Sequence, residues 1–291
     1  MTRPSVLVVG ATGTVGRHVV AELDENAVDI VAATRTPGSA SGEFGDAVST
    51  VEFDFTRPET WGRAFEGADR LFLLRPPGGA SIRRDIAPAI DAAVRCGITH
   101  VVFLSVRGAE RIPFLPHRRI ERHLEQADVS TTFLRADFFM QNLLEVHRRD
   151  IVEHDELFVP AGDGKTAFVD ARDVAAVGAR ALAEPAPHTG PYELTGPEAL
   201  DYWEVADIAS DVLGREITYA APGGIDFLRR MSGRGHSLRF VAIMVGLYLP
   251  TRLGLTGPPT DTVESVLDRP PRSVRRFFET HADDLDAVDP D

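Results

Sequence analysis

Three glycines at a spacing of three, Gly10, Gly13 and Gly16, stand near the start of the chain with Thr12 and Thr14 between them. Residues of these types in this order bind anions. A glycine at the head of the turn takes a positive φ at little steric cost. A second removes the Cβ that would hold a pyrophosphate off the backbone, and a third lets the next helix lie close on the preceding strand. The helix N-terminus then offers unpaired N–H groups and a partial positive charge. The alternative is a plain glycine-rich loop, and context separates the two. Residues 6–9 are a continuous apolar run, as in a strand buried on both faces of a parallel sheet. Val15, Val19, Val20 and Leu23 recur with helical period. Strand, glycine turn and helix in that order predict a dinucleotide site at Gly10, Thr12, Gly13, Thr14, Val15 and Gly16.

Arg35 carries the second piece of chemistry. A strand expected over residues 29–35 ends in Thr34-Arg35 with no acid. An NAD site usually places a carboxylate there, roughly 20 residues past the glycines, to hold the ribose 2′-hydroxyl. A guanidinium instead pairs with a 2′-phosphate that a carboxylate would repel. This predicts NADP(H) in preference to NAD(H). The bland alternative is a surface arginine opening the Pro37-Gly38-Ser39 loop; Arg17 could assist, but is read first as solvated. Ligands of a doubly wound sheet lie beyond the carboxyl ends of its strands. Asp54 and Phe55, closing a strand over 48–55, are therefore expected near the adenine. Leu74, Arg75 and Pro76, leading into Pro77-Gly78-Gly79, are expected beside the cofactor. Trp61, Ala64 and Phe65 read as packing.

These residues need a frame. Further strands are expected over 69–74, 99–104 (ending in Ser105) and 130–135, with helices over 81–96 and 116–126. Strands that alternate with helices make an α/β fold with a doubly wound parallel (Rossmann) sheet. Residues 1–150 are expected to form this domain. Beyond it the strands shorten (157–160, 166–169, 191–194), between helices over 170–184 and 202–213. A last helix spans 269–278, before an acidic tail over 283–291. Residues 151–291 are expected to form a smaller, mostly helical substrate lobe, partly interleaved with the sheet.

With 291 residues, 43% of them hydrophobic, the chain can bury a large core. Its net charge of −13 disfavours direct nucleic-acid binding. Lys165 is the only lysine. Cys96 is the only cysteine, which excludes an internal disulfide and a cysteine metal site, and is expected to be a small buried side chain. The apolar stretch 240–249 is too short to span a bilayer and reads as a buried or cleft-lining helix. With no signal peptide visible, a cytoplasmic protein with no membrane partner is expected. A homodimer is possible for this fold, and nothing in the sequence marks an interface.

Four segments resemble a known family, over nearly the whole chain. They are Gly10-Ala11-Thr12-Gly13-Thr14-Val15-Gly16, Phe103-Leu104-Ser105, and Thr132-Phe133-Leu134-Arg135 followed by Phe138-Phe139-Met140-Gln141-Asn142. The fourth is Phe168-Val169-Asp170-Ala171-Arg172-Asp173-Val174-Ala175 with Leu194-Thr195-Gly196-Pro197-Glu198. The chain is similar to NmrA-like members of the atypical short-chain dehydrogenase/reductases, which include quinone-reductase-like and nucleotide-sugar-epimerase-like proteins. Two departures stand out. Ala136 replaces a usual proline. The superfamily's catalytic Tyr-x-x-x-Lys is also missing: aligned on Glu121, His117 takes the lysine position and Pro113 the tyrosine position. No tyrosine occurs before Tyr192.

Without that phenol, alcohol oxidation and epimerisation lose their proton carrier. Reduction of a quinone-like acceptor asks for less, because hydride passes directly and the developing oxyanion needs only a donor or a solvent proton. His117 is the candidate donor, since its ordinary pKa lies near neutrality. The alternative is a solvated residue beside Arg118 and Arg119. Ser105 is the candidate for orienting substrate or nicotinamide. Phe138, Phe139, Met140 and Asn142 are expected to line the substrate cleft, although Gln141 and Asn142 could equally cap the next helix. The leading reading is an NADPH-dependent reductase of a small quinone-like or other hydrophobic carbonyl substrate. Two others stay open. One is a non-catalytic NADP(H) redox sensor of the NmrA type. The other is a nucleotide-sugar epimerase-like enzyme, suggested by fold alone.

Overall fold

The computed structural model describes residues 3–24, 28–40, 42–76, 78, 80–184 and 189–286. Pro77 and Gly79 of the expected loop, and the tail beyond 286, lie outside the described residues. In chain order the first elements are β1 (Ser5–Val9), α1 (Gly16–Asp24), β2 (Asp29–Thr34), α2 (Pro37–Ala40), β3 (Val48–Glu52), α3 (Trp61–Phe65), β4 (Arg70–Leu74), α4 (Ala87–Arg95), β5 (His100–Val106), α5 (Pro116–Gln126) and β6 (Ser130–Ala136). There follow α6 (Asn142–Glu145), α7 (Arg148–His154), β7 (Glu156–Leu157), α8 (Ala171–Ala183), β8 (Gly190–Leu194), α9 (Tyr202–Leu213) and β9 (Thr218–Tyr219). The last are α10 (Gly224–Gly233), α11 (Leu238–Arg252), α12 (Thr262–Leu267), α13 (Val274–Thr280) and α14 (Ala282–Asp286).

Seven strands form one parallel sheet in the order β3-β2-β1-β4-β5-β6-β8. This is the expected α/β Rossmann architecture. Residues 6–9 are buried because β1 lies inside this sheet, paired on both edges. The strand order reverses between β1 and β4, and that reversal opens a crevice beyond their carboxyl ends.

Close packing divides the chain into two units. The first holds the described residues up to Ala136, then Ala171–Leu194 and Ser265–Asp268. The second holds Asp137–Asp170, Thr195–Glu264 and the described residues from Arg269 onward. The division differs from a single boundary at 150. The chain leaves the sheet after β6 and returns with α8 and β8, because β8 completes the open edge of β6 from Thr132↔Gly190 to Ala136↔Leu194. The core of the first unit includes Leu7, Phe53, Phe65, Leu71, Val101 and Phe103. The core of the second includes Met140, Phe168, Tyr202, Phe227, Tyr248 and Phe277. Trp61, Ala64 and Phe65 are buried, as packing residues should be.

Several local expectations are corrected. The third strand stops at Glu52: the Phe53 N–H still donates to the Thr34 carbonyl of β2 (2.9 Å), but from Asp54 onward the backbone is engaged elsewhere. The Asp54 N–H donates to Thr60 Oγ1 (3.1 Å), and the Trp61 indole N–H donates to the Asp54 carbonyl (2.9 Å). Residues 81–96 begin with a π turn, Ile82–Ile86, ahead of α4. Residues 166–169 make only isolated bridges, Thr166 with Leu200 and Phe139 with Val169. Cys96 is exposed, at the C-terminus of α4. Helix α11 buries only Val241, Met244, Tyr248 and Thr251, so residues 240–249 are not a buried helix. Among the described residues no helix is long and apolar enough to cross a membrane.

Candidate functional site

The glycine turn is organised around one atom, the carbonyl oxygen of Gly10. Gly10 has φ +71°, and its missing Cβ leaves room for Leu74, whose Cδ2 would otherwise lie 2.9 Å away. The Gly13 N–H donates to the Gly10 oxygen at 2.9 Å. A Cβ on Gly16 would lie 2.1 Å from that same oxygen, so α1 can begin here only with glycine. A Cβ on Gly13 would meet the Gly10 oxygen alone, at 3.2 Å, and is otherwise open. Two glycines thus serve the fold and the middle one leaves the turn's outer surface bare. Arg17 is exposed, as a solvated residue should be, and also donates to the Thr12 carbonyl at 2.9 Å. Val15 is buried in the first turn's packing. The turn has the features of an anion cradle, with no Cβ at Gly10, Gly13 or Gly16, at the head of a nine-residue helix.

Arg35 follows β2 directly and is exposed. Its positive charge acts on Asp54. Burial pushes the Asp54 carboxyl up, but the N–H and hydroxyl of Thr56, each donating to Oδ1 at 2.8 Å, and the charges of Arg35 and Arg57 outweigh it. The net shift is downward, so Asp54 is a carboxylate at neutral pH. Phe55 is a core ring, 6% exposed and edge-on to Phe53 at 4.9 Å. Only its backbone is available to a ligand.

Leu74 and Arg75 stand where the strand order reverses, Leu74 against Gly10. Arg75 is half-buried, as is Pro76. The Arg75 Nε is buried without a hydrogen-bond partner, and its charge acts on His117. On α5, His117 and Glu121 are one turn apart and share a face. Facing them on β5 are Phe103 and Ser105, two apart and so on one side of the strand. The rings of His117 and Phe103 are 6.2 Å apart. Burial, and then the Arg75 charge, push the His117 pKa down to about 4 against the opposing pull of Glu121. This corrects the expectation of a near-neutral histidine. At pH 7 the ring is neutral, able to donate one N–H hydrogen bond but carrying no spare proton.

Ser105 is 1% exposed and donates its hydroxyl to Glu121 Oε1 at 2.7 Å. Its donor is therefore spent, and only acceptor capacity remains for a ligand. Glu121 is the residue to which sequence reasoning gave no role. It is fully buried and receives Arg135 through two bonds (Nε 3.0 Å, Nη2 2.9 Å) and Arg118 at 3.0 Å. Burial pushes its pKa up, but Arg135 and Ser105 lead the interactions that bring it below the usual value. Arg135 also pairs with Glu110 at 3.0 Å. The signal was present in part, since the four-residue interval from His117 to Glu121 places both on one helical face.

In the second unit, Phe138 and Phe139 are half-buried and Phe138 packs on Tyr248 at 5.1 Å. Met140 is fully buried in the core, which corrects its expected place in a cleft lining. Gln141 donates to Asp170 Oδ1 at 3.0 Å instead of capping a helix. Asn142 is half-buried at the start of α6. A pair that sequence reasoning missed lies here too. His147 Nε2 and the Tyr248 hydroxyl share a hydrogen bond of 2.5 Å. Burial lowers the His147 pKa to about 4 and raises that of Tyr248, so both are neutral. No local pattern couples residues 101 positions apart.

Comparison with known proteins bears on the family and the fold. The model of the NmrA-like family matches residues 2–243. An NAD(P)H azoreductase from Xenophilus azovorans is 33% identical over 283 residues, covering 95% of this chain and 98% of that protein. Two solved structures share the fold. The Citrobacter sp. triphenylmethane reductase complexed with NADP(H) has a TM-score of 0.84 at 23% identity, covering 96% of this chain and 99% of that one. The NADPH-dependent quinone oxidoreductase of Escherichia coli complexed with NADPH has a TM-score of 0.85 at 22% identity, covering 94% and 99%.

Proposed function

This chain belongs to the NmrA-like family, and from that premise we propose that it is an NADPH-dependent reductase of a quinone-like or other hydrophobic carbonyl substrate. The observation that carries the reading is the Gly10 carbonyl hub. It leaves a bare backbone cradle at the head of α1, beside the point where the strand order reverses. Gly10, Thr12, Gly13, Thr14, Val15 and Gly16 would hold the pyrophosphate, and Arg35 the 2′-phosphate. Asp54 and the Phe55 backbone would flank the adenine, and Leu74, Arg75 and Pro76 the nicotinamide end. When bound, NADPH supplies hydride.

The chain's own residues then have three tasks. The neutral ring of His117 donates an N–H hydrogen bond to the acceptor atom on which negative charge develops. Arg75 adds its positive charge beside it. The final proton comes from solvent, because no protonated acid stands in this group: His117 is neutral and Glu121 is a carboxylate. Ser105, Glu121 and Arg135 hold α5, and with it His117, against β5 and β6. Phe138, Phe139 and Asn142 are proposed for the substrate side. The names of the relatives support a reductase of conjugated acceptors, and the Arg35 position supports the preference for NADPH.

The test is NADPH and NADH oxidation with a panel of quinones, enones and azo dyes, with calorimetric binding of both cofactors alongside. Turnover with NADPH on a quinone or enone supports the proposal, and turnover on the azo dyes alone would overturn its substrate class. Tight NADPH binding with no turnover on the whole panel would replace it with the redox-sensor reading. Absence of binding would remove both.

A further inference from the structure

Helix α11 is apolar around most of its circumference, yet only one side of it is covered. Val241, Met244, Tyr248 and Thr251 recur at helical spacing and are buried in the second unit. On the remaining arc Leu238, Ile243, Leu247 and Leu249 are 48–66% exposed, and Leu253 at the helix's C-terminal cap is exposed too. Ile225 and Leu228 of the neighbouring α10, and Leu255 just past α11, are exposed as well. Single exposed leucines are ordinary, but an apolar patch shared by two adjacent helices marks an interaction surface. A helix of this composition belongs in a core or in lipid.

The charge around the patch says which. Residues 227–260 contain five arginines and no aspartate or glutamate, in a chain whose net charge is −13. Arg230 and Arg234 are engaged by the buried Asp150. Arg239 and Arg252, both on α11, are exposed, and Arg229 meets only the exposed Asp226, at 3.4 Å. A second copy of this chain on a twofold axis would bring the same arginine-bearing face against itself, with Asp226, already beside Arg229, as the one acid in the sequences of α10 and α11. Anionic phosphates receive them well, and guanidinium groups bind phosphate in two-pronged fashion.

We propose that the α10–α11 face docks on an anionic phospholipid surface, with α11 lying in the interfacial plane. Its exposed leucines and isoleucine enter the boundary of headgroups and acyl chains while its arginines meet lipid phosphates. The helix lies on the bilayer and does not cross it. Fifteen residues rise only about 22 Å, short of a hydrocarbon core of about 30 Å. The acidic balance sits outside this segment, and its repulsion from the surface is screened beyond about 8 Å at physiological ionic strength. The inference stands apart from the reductase reading.

Co-sedimentation of the full chain with vesicles tests it. Phosphatidylcholine vesicles with and without phosphatidylserine are compared at low and high salt. Sedimentation velocity without lipid reports the oligomeric state, and NADPH calorimetry checks the fold of each variant. The wild type should bind the phosphatidylserine vesicles, and less at high salt. Ile243→Asp with Leu247→Asp should weaken binding about tenfold or more. Arg239→Glu should weaken it several-fold while leaving NADPH affinity unchanged. No binding to phosphatidylserine vesicles at low salt would overturn the proposal. So would a wild-type dimer, dissolved by the double variant, that ignores vesicles, because it would give this face to a second copy.

Discussion

Arg135 meets Glu121 as a two-pronged ion pair, Nε to Oε1 at 3.0 Å and Nη2 to Oε2 at 2.9 Å, with Glu121 fully buried. The register Ser105↔Arg135 between β5 and β6 sets the Ser105 hydroxyl beside the same carboxylate, and Arg118 brings a further donor. A buried carboxylate is costly unless its lone pairs are filled, and here they are. Losing one partner should therefore cost more than an exposed ion pair contributes. Glu121→Ala leaves Arg135 only Glu110 and Arg118 only Glu125 as acidic partners among the described residues, and should lower stability by about 2–4 kcal/mol, read as a fall in the urea midpoint. A loss below about 1 kcal/mol, the worth of an exposed pair, would show that the cluster is not a hub. The sign with pH follows from the lowered Glu121 pKa. Its contribution is complete above the ordinary glutamate value of about 4.3 and disappears as pH falls through the lower folded value.

The three glycines should not be equivalent. Gly16→Ala puts a Cβ 2.1 Å from the Gly10 oxygen, so α1 must move, and the protein should lose several kcal/mol or fail to fold. Gly13→Ala meets only a 3.2 Å contact. It should keep stability within about 1 kcal/mol of wild type while weakening NADPH binding. Thermal melts and calorimetry on the pair check this, and equal melting of the two variants would contradict it.

His117 is expected to act as a neutral hydrogen-bond donor. Turnover should therefore be flat from about pH 5 to 8, because its pKa is pushed down to about 4. His117→Ala should reduce turnover by about tenfold or more, and His117→Gln should restore part of it. A rate that tracks a group titrating near pH 6.5 would instead return an imidazolium acid to the mechanism.

His147 makes stability depend on pH in a stated direction. Its folded pKa of about 4 lies below the ordinary histidine value. Between about pH 4 and 6.5 the unfolded chain binds more protons, so stability rises with pH and is complete above about 6.5. Acidification from pH 7.5 to 5 should cost on the order of 2 kcal/mol through this residue. His147→Gln should remove about half of the slope in that part of the denaturation-versus-pH curve, since His117 carries the same shift, whatever its constant cost from the Tyr248 hydroxyl. An unchanged slope would mean that His147 is not the group responsible.

Arg35→Ala should weaken NADPH binding by about tenfold or more, the worth of a charged hydrogen bond, and leave NADH binding unchanged. Calorimetric titration of both cofactors reads the ratio. A ratio that does not move would take the 2′-phosphate away from Arg35.

The sequence by itself determined what depends on neighbours along the chain. An apolar run, three glycines and a helical period fall within residues 6–23, so the strand, the turn and the helix were legible, and repetition of that pattern made a parallel sheet the expected frame. The roles of Gly10 and Gly16 follow from backbone sterics alone, which glycine identity reports. Tertiary structure decided what depends on distant partners. β8 belongs to the sheet because β6 offers an open edge 58 residues earlier at Thr132↔Gly190. Met140 is core because the second unit closes around it. The third strand stops at Glu52 because Thr60 and Trp61 take up the Asp54 backbone. Glu121 became the site's organising carboxylate, and His117 lost its proton, through burial and through charges brought from β4 and β6. Desolvation and Coulomb energy depend on separation in space, and a residue's own letter carries neither.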